Sequence, residues 1–179
     1  GHYVDQTGQS SQVECPAGSY QEYTGEIWCD GADVGSYVPV TGQTSQTDCA
    51  TGTYQASTGQ TSCDDADAGH YVDQTGQSTQ TACLTGTYQS ATGQNSCYDA
   101  DAGHYVPTTG QTSETACLAG TYQPDTGQDG CDDADVGSYV PVTGQTSQTD
   151  CATGTYQSLT AQTSCDAADI GSYVSAVGQ

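Results

Sequence analysis

The sequence predicts an all-β, small disulfide-rich fold: an elongated rod or solenoid of short β-hairpin repeats with no globular core. Three observations lead to this prediction. Glycine, followed two places later by tyrosine, returns every 17 residues, from Gly1 and Tyr3 to Gly171 and Tyr173. The chain has no Phe, no Met and one Trp, so it lacks the large side chains that fill a globular core. Ten cysteines supply the cross-links that core-poor chains use instead.

The cysteines define a repeat of 34 residues, because the gaps between them alternate between 14 and 20 residues. One 17-residue half carries two cysteines, and the other half has Ala with Gln or Glu at the equivalent places, such as Ala66 and Gln80. This predicts a partial, cysteine-free half at 1–14. The repeats that follow are 15–48, 49–82, 83–116, 117–150 and a truncated fifth at 151–179.

Positions that gain and lose cysteine together are most simply partners. We therefore predict the disulfides Cys15–Cys29, Cys49–Cys63, Cys83–Cys97, Cys117–Cys131 and Cys151–Cys165. Each would close a short loop and stabilise the fold by about 3 kcal/mol in the chain-entropy model. The alternative pairing, such as Cys29 with Cys49, would instead link consecutive repeats.

Within each half, the residues around tyrosine are predicted to be extended, and Thr-Gly-Gln is predicted to form a turn. Glycine in the turn indicates a positive φ. Thr160-Ala161-Gln162 has no glycine, which indicates that the left-handed conformation is not required at every turn. We expect each Tyr ring to pack on the neighbouring disulfide or on the backbone of the next unit.

Charge narrows the function classes. The chain has 22 acidic residues and no Lys or Arg, so nucleic acid, which is bound through cationic side chains, is excluded as a partner. Disulfides predict an extracellular or cell-surface location. No apolar run approaches the ~20 residues of a membrane span. We interpret the segment as part of a longer array.

Two motifs resemble known repeats. Cys-x-x-Gly-x-Tyr-x-x-x-x-Gly-x-x-x-Cys, as in 83–97, is similar to the cysteine-rich repeats of ephrin-receptor-like and tumour-necrosis-factor-receptor-like type. The stretch 58–72 also resembles repeat tracts of giant surface proteins of aquatic microbes. The resemblance implies a disulfide-closed loop with a packed Tyr in a rod-like array. Ligand binding is not implied, because the further cysteine pairs of those receptors are absent here.

An acidic cluster follows the second cysteine of each repeat and is the candidate Ca²⁺ site, because carboxylates are the ligands that Ca²⁺ prefers. Its members are Asp64, Asp65, Asp67, Asp99, Asp101, Asp132, Asp133 and Asp135. The cluster lacks the third acidic ligand and the distant Glu of an EF-hand loop. The alternative is that the Asp two places before the glycine caps the turn. No cofactor is required by the sequence.

Catalytic chemistry is not expected. His2, His70 and His104 share one repeat position that Ser or Thr fills in other copies, which favours a solvated strand position over a catalytic or metal-binding role. Without Lys, Arg or a cysteine outside the pairing scheme, the chain offers no catalytic set. We therefore expect that this protein is not an enzyme.

Threonines crowd the turns. One interpretation is that these threonines serve hydrogen bonding and β structure, and the other is that they carry O-linked glycans. The sequence leaves both interpretations open. The candidate glycan sites are Thr7, Thr41, Thr44, Thr58, Thr75, Thr92, Thr109, Thr112, Thr126, Thr143, Thr146 and Thr160.

These features together predict a structural extracellular filament or cell-surface stalk that is glycosylated. Its main partner would be itself, through head-to-tail continuation or lateral assembly into fibres. The alternative is an adhesin or receptor-like module whose repeat faces recognise a glycan, a surface or a protein.

Overall fold

A computed structural model describes residues 1–4 and 11–179. Over these residues the protein is all-β and contains no helix, and its twenty two-residue strands pair into ten antiparallel hairpins. The predicted fold class of short β-hairpin repeats is therefore confirmed. The chain divides into two compact units, which are Gly1–Ala82 with Ala91–Cys97, and Cys83–Ser90 with Tyr98–Gln179.

Each unit holds five hairpins formed by consecutive strands. Unit 1 contains β1 (His2–Tyr3), β2 (Val13–Glu14), β3 (Ser19–Tyr20), β4 (Asp30–Gly31), β5 (Ser36–Tyr37), β6 (Thr47–Asp48), β7 (Thr53–Tyr54), β8 (Asp64–Asp65), β9 (His70–Tyr71) and β10 (Thr81–Ala82). Unit 2 contains β11 (Thr87–Tyr88), β12 (Tyr98–Asp99), β13 (His104–Tyr105), β14 (Thr115–Ala116), β15 (Thr121–Tyr122), β16 (Asp132–Asp133), β17 (Ser138–Tyr139), β18 (Thr149–Asp150), β19 (Thr155–Tyr156) and β20 (Asp166–Ala167).

Every hairpin uses the same register, which follows from the 17-residue spacing. The repeat tyrosine is the second residue of the first strand, two residues after the glycine. In β5–β6, for example, Tyr37 pairs with Thr47 and Ser36 pairs with Asp48. Tyr and Thr favour extended backbone, while Gly35 adopts a φ of 81° immediately before the strand. The glycine therefore ends one hairpin and directs the chain into the next.

Within unit 1, each hairpin is bonded to the next hairpin and to the next but one. Gly18 N–H donates to Val38 O over 2.8 Å, and Gln21 N–H donates to Gln43 O over 3.1 Å, which joins neighbouring hairpins. Gly59 N–H donates to Ala32 O over 2.7 Å, which joins β3–β4 to β7–β8. Backbone hydrogen bonds between hairpins thus satisfy groups that two-residue strands leave unpaired.

Unit 2 repeats this set of bonds. Gly120 N–H donates to Val140 O over 2.8 Å, and Gln123 N–H donates to Gln145 O over 3.0 Å. The bond to the next hairpin but one runs from Gly144 N–H to Cys117 O over 2.8 Å. Since the partners stand at equivalent repeat positions, the same docking geometry recurs inside each unit.

The buried residues are small or polar. Among the described residues, the fully buried apolar positions hold only Cys, Ala and Val, and the largest fully buried side chains are Gln21 and Gln89. Leu84, Leu118 and Leu159 are all exposed. Small and polar buried side chains therefore take the place of a core of large apolar residues, as the shortage of such residues predicts.

One prediction about the turns is wrong. Ala161, which replaces the usual turn glycine, has a φ of 59° and adopts the same left-handed conformation as its glycine counterparts. Its N–H donates to Ala134 O over 2.8 Å, the bond that turn glycines make elsewhere. The hairpin contact therefore imposes the conformation even where a Cβ makes it costly.

Two glycines of unit 2 separate the contribution of backbone conformation from that of close packing. Both Gly86 and Gly144 have positive φ, but a Cβ on Gly86 would overlap Gly127 O, whereas a Cβ on Gly144 would meet nothing within 4 Å. We expect Gly144→Ala to cost about 1 kcal/mol and Gly86→Ala to cost about 3 kcal/mol because overpacking is added. Native-state hydrogen exchange measures the loss of local stability, at the amide of residue 144 for Gly144→Ala and at the Gly127 amide for Gly86→Ala. Equal losses of stability in the two variants would show that close packing does not require a glycine at position 86.

Candidate functional site

The hairpins that carry cysteine are closed covalently. The bonds Cys15–Cys29, Cys49–Cys63, Cys117–Cys131 and Cys151–Cys165 each span 14 residues, with Cα atoms 5.7 to 5.8 Å apart. Cys83 and Cys97 are also disulfide-bonded, and no described cysteine is free. The first cysteine of each predicted pair is fully buried. The four bonds therefore follow the pairing predicted across 14-residue gaps and not the alternative across 20-residue gaps.

A clasp of glutamine and aspartate closes the hairpins that lack cysteine. In unit 1, Asp67 N–H donates to Gln80 Oε1 over 2.6 Å, and Gln80 Nε2 donates to Asp67 Oδ2 over 2.6 Å. The same pair of bonds joins Asp33 to Gln46 in unit 1 and Asp135 to Gln148 in unit 2. The glutamine stands at the position of the missing second cysteine. Its amide closes the loop because it offers a donor and an acceptor together.

This clasp corrects the interpretation of the aspartate as a cap of the turn that follows it. The turn at Asp33 is bonded through the backbone, from Ser36 N–H to Asp33 O over 3.0 Å, while the Asp33 side chain accepts from Gln46. The sequence did contain the signal. Aspartate occupies this position only before cysteine-free halves, and there Gln or Glu always stands 13 residues further on in the complete copies.

One clasp is different because Glu114 replaces glutamine. Asp101 N–H donates to Glu114 Oε2 over 2.7 Å, but a carboxylate cannot donate a bond in return. Glu114 Oε1 lies 3.9 Å from His104 Nδ1, a buried nitrogen without a hydrogen-bond partner on the half-buried strand β13. Burial, and then the charges of Glu114 and Asp101, raise the pKa of Tyr88. The closure here has one hydrogen bond where the others have two.

Buried glutamines organise the loops of the disulfide-closed hairpins from inside. Gln55 Nε2 donates to Ser62 O over 2.9 Å, and Ser57 N–H donates to Gln55 Oε1 over 2.9 Å. Gln21, Gln123 and Gln157 make the equivalent pairs of bonds. Both ends of each amide are satisfied, which removes the penalty of burying it. Sequence reasoning missed this role, although Gln follows the repeat Tyr in these halves where Val follows it in the others.

The calcium candidates divide into two groups. Asp67, Asp101 and Asp135 take part in the closures described above, while the remaining members are exposed on strands β8, β12 and β16. In the described part of the chain, no group of three or more His, Cys, Asp or Glu side chains is placed to hold a metal ion. Calcium binding stays a prediction that the arrangement does not strengthen.

The described threonine candidates are all exposed, from Thr41 to Thr160. Thr41 Oγ1 donates to Glu14 Oε2 over 3.1 Å, a contact between a turn and the hairpin two places earlier. Thr7 lies outside the described residues. Exposed hydroxyls are accessible for glycan attachment, and the bond of Thr41 shows that structural use of the same position also occurs.

Comparisons with known proteins give no relative for this chain. No protein-family model matches it, and no curated protein matches it either. The resemblance to receptor-type cysteine-rich repeats therefore remains a prediction, and function has to be argued from the geometry.

The clasp can be exchanged for a disulfide by copying the other half of the repeat. We expect Ala66→Cys with Gln80→Cys to form a disulfide and to stabilise this hairpin by about 3 kcal/mol. Gln80→Ala, which removes both clasp bonds, should cost about 2 kcal/mol. Mass spectrometry detects the new bond, and hydrogen exchange at β9 and β10 reports local stability.

The exposed Gln74 of the same hairpin gives a matched control, Gln74→Ala. Unchanged protection in Gln80→Ala would show that the clasp does not close the hairpin.

Chelation tests the calcium prediction. If the acidic clusters bind Ca²⁺, EDTA should lower the melting temperature, because it removes a ligand that stabilises the folded state. An unchanged melting temperature would rule the calcium site out. The measurement is a thermal scan before and after chelation, with Mg²⁺ at matched ionic strength to control for screening of the acidic surface. A fall in melting temperature that Ca²⁺ restores and Mg²⁺ does not would establish a specific site.

Proposed function

We propose that this chain belongs to a structural extracellular filament or cell-surface stalk built of disulfide-closed tandem hairpins. The observation that carries the proposal is the recurrence, inside each unit, of the same backbone bonds from one hairpin to the next and to the next but one. Repeats that dock through identical contacts extend without an intrinsic stop. Such growth suits a stalk or a fibre whose length is set by the number of repeats.

The disulfide bonds are consistent with an extracellular location. Ten disulfide-bonded cysteines indicate an oxidising environment. Over residues 1–4 and 11–179, the chain forms no helix with the length and hydropathy of a membrane span. Secretion and O-linked glycans on the exposed threonines are part of the proposal, and accessibility of those hydroxyls supports the glycans.

The charge supports extended chains that remain apart. A formal net charge of -22 without a single Lys or Arg makes neighbouring copies repel each other. Lateral assembly into fibres would then require cations, glycans or another partner between the copies. Head-to-tail continuation brings only the ends of two copies together, so less like charge has to be screened, and it is the form of assembly that we favour.

A second candidate, an adhesin or receptor-like module, is favoured by one observation. The first disulfide-closed hairpin exposes Tyr23, Ile27 and Trp28 by 58% to 65%, at positions where the other copies have smaller or polar residues. Exposed large apolar and aromatic side chains that the fold does not require are typical of a contact surface. In this second candidate the repeat architecture is the same, and the first disulfide-closed hairpin also recognises a binding partner.

Arrays of increasing length test the architecture that the proposal needs. We expect the radius of gyration from small-angle X-ray scattering to rise nearly twofold when an oxidised array doubles from four to eight 34-residue repeats. A globule of the same composition would grow only about 1.3-fold. Electron microscopy of native material then separates the two candidates. Uniform fibres labelled by a repeat-specific antibody support the filament, whereas single shafts ending in a distinct head would contradict a purely filament-forming role.

A further inference from the structure

A shallow recess recurs where the tyrosine of a cysteine-free hairpin and the disulfide of the following hairpin line the same cavity. One such recess in unit 1 has a volume of about 490 Å³, and two such recesses in unit 2 have volumes of about 250 and 470 Å³. Four equivalent positions line all of them, namely Tyr3, Pro16, Ser19 and Cys29; Tyr105, Leu118, Thr121 and Cys131; and Tyr139, Ala152, Thr155 and Cys165. The recess is therefore a product of the repeat.

Among these three recesses, the recess of unit 1 has a second aromatic residue, Trp28, beside the disulfide. Ile27 and Trp28 line it, and both are 58% exposed. The position of Trp28 holds Ser62 and Ser164 in other disulfide-closed hairpins, so the fold does not need an aromatic residue there. An exposed indole that packing does not require is free to contact a partner.

The backbone of Trp28 is held in place before any partner binds. Trp28 O accepts a hydrogen bond from the buried Gln21 Nε2 over 3.0 Å. The next residue, Cys29, is fixed by its disulfide to Cys15. A fixed backbone reduces the conformational entropy that is lost when the indole binds a partner, which favours affinity.

The negative charge of the chain indicates which kind of partner the recess would bind. The chain has 22 acidic residues and no Lys or Arg, so most of its carboxylates have no cationic side chain of the chain to neutralise them. The hairpin that carries Trp28 also carries Glu22, Glu26 and Asp30. After burial, the charges of Asp33, Asp30 and Glu22 raise the pKa of Tyr20 on the same hairpin, which reports a negative local potential. Such a potential repels anions and attracts cations.

We propose that the Trp28 recess, formed by Tyr3, Pro16, Ser19, Ile27, Trp28 and Cys29, binds an arginine or lysine side chain of a basic polypeptide. The cationic group stacks on the exposed indole, which attracts cations through its π face. The carboxylates of the same hairpin balance its charge. Neighbouring basic residues of the partner reach the acidic surface around the recess. This inference is independent of filament formation, because a stalk and a monomer would both present the recess.

Trp28 is the single tryptophan of the chain, so its fluorescence reports directly on this recess. The probe is the peptide acetyl-Arg-Gly-Arg-Gly-Arg-amide, titrated into the oxidised full chain at about 0.15 M ionic strength, where exposed charges are largely screened. We expect a saturable change in Trp28 emission with one peptide bound per chain. The same peptide with Glu in place of Arg should give no change.

Variants distinguish the recess from general attraction to an acidic surface. We expect Trp28→Ser, the residue of other copies, to weaken binding about tenfold by calorimetry. Tyr98→Ser, which removes an exposed aromatic residue of unit 2, should leave affinity within about twofold. Mass spectrometry confirms that the variants are fully oxidised. Trp28→Phe keeps a π face and should retain more affinity than Trp28→Ser, which gives a second readout if the serine variant misfolds.

Three results would overturn the proposal. Equal affinity of wild type, Trp28→Ser and Trp28→Phe would assign the binding to charge alone. Saturation of the Trp28 signal by a neutral sugar such as cellohexaose, without a response to the peptide, would make the recess a carbohydrate site. A change in emission that depends on protein concentration alone would show that a second copy of the chain occupies it.

Discussion

The glycine that begins each hairpin carries the constraint on which the rest of the structure depends. In unit 1, the Cα of Gly35 approaches Gly76 O so closely that a Cβ would overlap it, and Gly86 and Gly127 O repeat this contact in unit 2. The same glycines adopt positive φ. Two separate requirements, backbone conformation and close approach, therefore fall on one residue. The approach also narrows the interior, which explains why the buried apolar positions of residues 1–4 and 11–179 hold only Cys, Ala and Val.

Side chains that bond to the backbone compensate for the hydrophobic packing that the narrow interior excludes. Gln55 ties its own loop together from a buried position, and Gln80 ties the two ends of its hairpin from the surface. Both use the amide as a donor and an acceptor at once. Stability thus rests on satisfied polar groups and covalent bonds more than on buried apolar area. The composition, poor in large apolar residues and rich in Gln, Thr and Gly, follows directly from this arrangement.

The sequence predicts most of the fold but little of the site. The period, the β class and the pairing of Cys49 with Cys63 could be predicted because each depends on spacing along the chain. The partner of Asp33 was missed because its role depends on which groups face each other across the hairpin. Ala161 was misjudged because tertiary contacts override its local preference. Backbone hydrogen bonds such as Gly59 N–H to Ala32 O could not be predicted from the sequence, because nearly all residues carry the same backbone groups.

The alternation of covalent and non-covalent closures has a consequence under tension. A loop closed by Cys49 and Cys63 cannot lengthen while its disulfide is intact. The loop between Asp67 and Gln80 spans 13 residues and would release roughly 40 Å of chain once its two clasp bonds break. A pulled chain would therefore extend in steps through the clasped hairpins alone, while the cystine hairpins keep their length. If the chain forms the proposed filament or stalk, it would lengthen under load up to a limit set by its disulfides and would shorten again when the clasps re-form.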